Sequence, residues 1–257
     1  MACWTPLPPA AAVPVFDRAT LTRHWPRLHA GDAEPLPTGT ELFAGWALYH
    51  AGQYQQATEL GLQIGGAGIT LANKAQAVYA HHLERSEQIK HALLVEVAAR
   101  AEAQRAADPT LPNAAYLGAY ALSRYVNAEG MAPGGTADVG SRVRADLEET
   151  LRLAPAHADA QLALGALHAR VIEQLGSLLG RAQGVSKETS LALFRSALAL
   201  NPSSPIARVE WAHALLTLEG EKKLADATRL YQEAAQLQPL DATEWLEVQV
   251  ARAVLTD

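Results

Sequence analysis

The stretch His81-His82-x-Glu84 places two imidazoles and a carboxylate within one helical turn. Those groups bind zinc or move protons when three or four of them converge. On a helix His81 and Glu84 share a face while His82 points elsewhere, so the turn brings at most two ligands together. The three read as ordinary residues of a helix surface. His157 and His168 stand eleven residues apart, three helical turns, too far for one metal. Cys3 is the single cysteine, which excludes an intrachain disulfide and a cysteine-based zinc site. Neither Gly-x-Ser-x-Gly nor His-Glu-x-x-His occurs, and the adjacent Glu148-Glu149 diverge around a helix. Gly65-Gly66-Ala67-Gly68 lacks the Lys-Ser/Thr of a phosphate loop and follows no strand, so it reads as a helix C-cap and turn. No catalytic residue, metal or cofactor is expected, and the chain is not read as an enzyme.

The elements that would carry any site are helices. Among 257 residues, 49% are hydrophobic, enough for a substantial core. Ala, Leu, Glu, Gln and Arg outweigh β-branched residues, which favours an all-α fold. A formal charge of −6 and no basic run longer than Lys222-Lys223 argue against a nucleic-acid partner. No apolar run approaches a membrane span, and the proline-broken N-terminus lacks a basic n-region. A cytoplasmic location is therefore expected.

Residues 1–37 are rich in proline and read as an extended N-terminal arm, with a short helix from Asp17 to His24 that ends where Trp25 precedes Pro26. Trp4, Phe16 and Trp25 are expected to pin this arm to the first helices. Residues 38–257 read as one helical-repeat domain. The predicted helices are 40–50, 54–64, 71–83, 86–107, 113–127, 141–153, 157–179, 187–200, 205–218 and 224–237, with a loop at Pro133-Gly134-Gly135 and interruptions at Gly176 and Gly180. Ser204-Pro205 is a strong helix start. A last helix opens at Asp241 with Glu244 three residues on, a capping-box arrangement.

Two copies of one pattern organise this region. Ser190, Phe194, Ala197, Leu200 and Pro202 recur as Ala227, Tyr231, Ala234, Leu237 and Pro239, at a constant offset of 37 residues. A small residue, an aromatic, a small residue and a leucine share one face, and proline stops the helix. Leu164-Gly165 with Ser190-x3-Phe194 and Pro202 resembles the tetratricopeptide repeat (TPR), with Gln161 and His168 departing from its Trp and Tyr. Trp211-Ala212 with Ala227-x3-Tyr231 and Pro239 resembles a further copy. Leu117-Gly118 with Pro155, and Gly45, Gly52, Tyr54 and Ala57, mark earlier ones. Gly118, Gly165 and Ala212 are spaced 47 residues apart, so 127–140 and 170–187 are inserts between the two helices of a repeat. The long repeats look like the branch that includes microtubule-dynamics regulators and the T component of certain bacterial transporters.

The resemblance implies a right-handed TPR-like α-solenoid of about five helix pairs plus a C-terminal capping helix. It implies a concave groove lined by the first helix of each pair: Leu42, Trp46, Ala115, Ala119, Leu162, Ala166, Val209 and His213, with Tyr49, His50 and Arg170 at its rim. These positions lack the Lys and Asn with which chaperone-binding members clamp a carboxylate. Either the inserts fill the groove, or it stays open. The expected function is a non-catalytic scaffold that binds a protein or peptide segment in an apolar groove. The alternative is a carrier of a small hydrophobic ligand.

Overall fold

The computed structural model describes residues 4–129 and 133–256, all α-helix, short 3-10 turn or connection, with no strand among them. Cys3 and part of the first expected insert, residues 130–132, lie outside the described residues. The helices are α1 (Arg18–Leu28), α2 (Thr40–His50), α3 (Tyr54–Ile64), α4 (Gly68–His82), α5 (Glu87–Ala107), α6 (Pro112–Glu129) and α7 (Pro133–Leu153). They continue as α8 (Ala158–Ala182), α9 (Lys187–Leu200), α10 (Pro205–Glu219), α11 (Leu224–Gln236) and α12 (Ala242–Val254). Consecutive helices pack as the pairs α2/α3, α4/α5, α6/α7, α8/α9 and α10/α11, with α12 after the last.

Two compact units divide the chain. The first holds the described residues up to Pro26, with Glu34–Pro155 and Asp241–Thr243. Arg27–Ala33, Ala156–Leu240 and the described residues from Glu244 onward form the second.

In the first unit, small residues let helices touch. A side chain at Gly45 on α2 would collide with Leu71 of α4, and one at Gly61 on α3 would meet the Gly68 carbonyl at the start of α4. Leu94 and Val97 of α5 close a core with Ala77, Ala80 and Ala121. A polar seam crosses α4 and α5: the Arg100 guanidinium donates to Asn73 Oδ1 at 3.0 Å and Gln76 Oε1 at 2.6 Å. The arm packs here. Trp4 stacks on Tyr79 with ring centroids 4.1 Å apart, and its backbone N–H donates to Gln55. Leu7 occupies the space a side chain at Gly52 would need, and that glycine's φ of 77° favours glycine independently.

Two boundaries differ most from the sequence reading. α1 runs through Pro26 to Leu28, because Trp25 is buried against Phe43 and Trp46 and its indole N–H donates to the Glu34 carbonyl. Packing of that ring outweighs the local preference imposed by the proline. α7 starts at Pro133 instead of Ser141, so the expected Pro133-Gly134-Gly135 loop is helical. Proline at the first helical position loses no hydrogen bond, which lets it open a helix as readily as end one. The extra repeat length thus goes into longer helices.

The second unit is built on the repeated pattern. A Cβ on Gly165 would lie 3.3 Å from the Phe194 ring and from the Ser190 carbonyl, and the Ser190 hydroxyl donates to the Gly165 carbonyl at 2.8 Å. Ala212, Leu215, Ala227, Leu230, Tyr231 and Ala234 repeat that contact between α10 and α11. Ser204 caps α10 by accepting from the Ala207 N–H, and His157 caps α8 through Nδ1 from the Ala160 N–H at 3.0 Å. Gly176, at φ 78° and ψ 163°, breaks α8, whereas Gly180 stays helical and buried under Val185. At α12 Glu244 accepts from the Leu240 N–H at 2.8 Å and pairs with Arg27, while Asp241 is engaged by His50. Glu244 thus reaches back to the backbone N–H of Leu240, the residue before Asp241.

Gly165→Val should overpack the α8/α9 contact and lower unfolding free energy by about 1–3 kcal/mol. A chemical-denaturation midpoint that falls with an unchanged m-value is the expected result; an unchanged midpoint would show that the contact is slack.

Candidate functional site

Three helices of the second unit leave a cleft between them. α9 contributes Leu191, Arg195 and Leu198, and α10 contributes Trp211, Leu215 and Glu219, each set spaced along one face. α11 closes it with Asp226, Arg229, Leu230 and Glu233, and Lys223 stands just before that helix. The cavity volume is about 310 Å³. Leu215 and Leu230 form a buried floor, and Trp211, which replaces the leucine of the repeat pattern, lies half-buried beside them. The Trp211 indole N–H has no acceptor among the described residues.

Charges ring this apolar floor. Lys187 and Lys222 both hydrogen-bond the Glu219 carboxylate and hold its pKa down at about 2. Lys223 pairs with Asp226 at 2.7 Å and Arg229 with Glu233 at 2.8 Å. Hydrogen bonding to Lys223 lowers the Asp226 pKa. Arg195 is exposed and has no acidic partner among the described residues. An apolar floor gives affinity by excluding water, while an unpaired guanidinium adds a directional contact for a carboxylate.

The residues expected along a concave groove fall into different settings. In the first unit Trp46, Tyr49, His50, Ala115 and Ala119 are buried, and Leu42 is half-buried. Trp25 meets Trp46 edge-on at 5.7 Å between centroids, and Phe16 meets His50 at 5.9 Å. Tyr49 and His50 bind the returning chain: His50 Nδ1 lies 2.7 Å from Asp241 Oδ2, and the Thr243 hydroxyl donates to Tyr49 Oη. In the second unit Leu162 and Val209 are buried, Ala166 and Arg170 half-buried, and His213 exposed. Leu162 packs with Phe194 and Ala207, and Val209 with Ala212 and Ala251. The α9–α10–α11 cleft was not anticipated. Its signal lies in Leu191, Arg195 and Leu198 at helical spacing on a second helix of a repeat, where the family pattern speaks only of packing.

His81 and His82 lie 4.4 Å apart between ring centroids, and His81 contacts the Tyr120 ring. Glu84 turns away: it accepts from the Tyr79 hydroxyl and the Ser86 N–H. Desolvation, with the nearby Arg124 guanidinium, holds the His82 pKa at about 3 and the His81 pKa well below the usual imidazole value. No group of three or more His, Cys, Asp or Glu able to hold a metal occurs among the described residues. No helix among them is long and apolar enough to cross a membrane.

No protein-family model matches the chain. No curated protein matches it. Among solved structures it is similar to a thermophilic TPR protein of Thermus thermophilus, with a TM-score of 0.60 and 20% identity. The match covers 84% of this chain and 97% of that one. This likeness shows the fold, a divergent helical repeat of tetratricopeptide type.

Two outcomes follow from the geometry. His50→Ala leaves the Asp241 carboxylate buried without its imidazole and should cost about 3 kcal/mol of unfolding free energy, readable by denaturant titration. For the histidine pair, the folded pKa lies below the unfolded value, so the unfolded chain takes up protons first as pH falls. Their contribution is intact above about pH 6.5 and is lost progressively toward pH 3. Replacing both with Gln should flatten the fall in Tm between about pH 6.5 and pH 5; equal slopes in both proteins would contradict this.

Proposed function

We propose that this chain, folded as a tetratricopeptide-type repeat, is a non-catalytic protein-interaction module whose partner seats in the α9–α10–α11 cleft. The observation that carries the reading is the combination at one place of an apolar floor, Leu198, Trp211, Leu215 and Leu230, with a charged rim and Arg195, unpaired among the described residues. A partner's aliphatic side chains displace water from the floor, and an acidic group flanking them meets the Arg195 guanidinium. The other polar groups at the rim are already paired with each other, so they set register at little desolvation cost. No named side chain at the cleft is arranged as nucleophile and base, and the reading assigns it binding alone.

The sequence-derived groove stays part of the proposal only through the second unit's exposed His213 and half-buried Ala166 and Arg170. For the first unit, Trp46, Tyr49 and His50 serve the fold, as their contacts with the arm and with Asp241–Thr243 support. A small hydrophobic ligand is the second reading, favoured by the cleft volume of about 310 Å³, near the lower bound of ordinary ligand pockets. A soluble protein acting in the cytoplasm fits either.

Arg195→Glu combined with Leu198→Asp should reduce recovery of copurifying proteins at least about tenfold, as loss of an anchor and its charge partner does at other interfaces. The variant should keep the wild-type circular dichroism spectrum. An unchanged set of recovered proteins, quantified by mass spectrometry, would rule out the cleft as the docking surface.

A further inference from the structure

The insert within α8 ends in an apolar turn that the fold leaves uncovered. Past the break at Gly176, Leu178 is 82% exposed and Leu179 is 57% exposed, with Leu175 beside them also exposed. The turn is held in place from below: Gly180 is buried, with Val185 and Ile172 against it, and the Val185 N–H donates to the Gly180 carbonyl at 3.0 Å. Leucines displayed on a braced turn keep much of their apolar surface in water, an unfavourable arrangement that marks interaction surfaces. Glu173 and Arg181 flank them, both exposed and without an ionic partner among the described residues.

The cleft carries the complementary set in the same unit. It has an apolar floor at Leu198 and Trp211 and, at the rim, Arg195, a cation unpaired among the described residues. A volume of about 310 Å³ suits a few aliphatic side chains better than a large ligand. We propose that the cleft's occupant is the leucine turn of a second copy of this chain, with Leu178 and Leu179 over Leu198 and Trp211 and Glu173 paired with Arg195. The inference rests on the cleft being a docking surface and names what fills it. Each copy carries both halves, so a reciprocal exchange closes a twofold dimer. The contact is small, so its affinity is modest and the dimerised fraction rises with protein concentration.

Sedimentation equilibrium of the full chain tests this. The expected result is a monomer–dimer equilibrium that weakens with added salt. Leu178→Asp with Leu179→Asp should weaken it by about tenfold or more. Glu173→Arg alone should weaken it, and Glu173→Arg together with Arg195→Glu should restore it, since the reversed pair attracts again. All four positions are exposed, so circular dichroism and Tm should stay at wild-type values. A chain monomeric at every accessible concentration overturns the inference, as does association indifferent to the leucine substitutions or a charge reversal that is not rescued. If the monomeric chain still loses other proteins upon Arg195→Glu with Leu198→Asp, only the second-copy occupant is refuted. If those cleft substitutions are silent in both assays, the cleft reading falls as well.

Discussion

Close approach between paired helices is the constraint on which everything else depends. Gly165 on α8 admits the Phe194 ring of its pair-mate α9 because there is no Cβ in the way, and Gly45 on α2 does the same for Leu71 on α4 of the next pair. An isolated helix of this length is marginal in water, so each must bury its apolar stripe against a neighbour. Small residues set how near that neighbour comes. Once the approach is that close, the first helices of the pairs spend their apolar side chains on packing, as Leu162 and Val209 do. The open cleft lies at the seam between one pair and the next, where α9, α10 and α11 meet.

Polar groups divide along the same line. Within the first unit several buried ones are matched: His50 with Asp241, Asn113 with Glu34, Arg100 with Asn73 and Gln76. Burial without a partner would cost more than these bonds return, so their pairing is a condition of the fold. Around the cleft the ion pairs are surface ones, worth little to stability and easily exchanged. Arg195 is left over at that rim, which separates residues that hold the protein together from residues available to a partner.

Much of this was legible from residue types. Ser190 and Phe194 recurring as Ala227 and Tyr231 announced paired helices, and Ser204-Pro205 marked a start that the Ser204 hydroxyl then caps. The kink at Gly176 was visible as well. That Phe16 and Trp25 pin the arm to the first helices was legible too; that they do so over Trp46 and His50, two residues assigned to the groove, was not. Periodicity shows which face of a helix is apolar but not what covers it, and the covering rings, Phe16 and Trp25, come from a proline-rich stretch with no repeat. Pro133 misled for a similar reason, since proline suits both a loop and a first helical turn. The cleft escaped because its walls come from three helices whose spacing in sequence says nothing about the gap between them.

The central claim, that docking occurs at the α9–α10–α11 seam, is tested most directly by fluorine NMR of the chain carrying 5-fluorotryptophan. Its five tryptophans report on separate places: Trp211 on the cleft, Trp4, Trp25 and Trp46 on the first unit, and Trp245 on α12. As protein concentration rises from dilute to millimolar, the Trp211 resonance should shift while those of Trp4, Trp25 and Trp46 stay fixed. A moving Trp46 or Trp25 resonance with Trp211 unchanged would contradict the account and return the docking surface to the groove inferred from the repeat pattern.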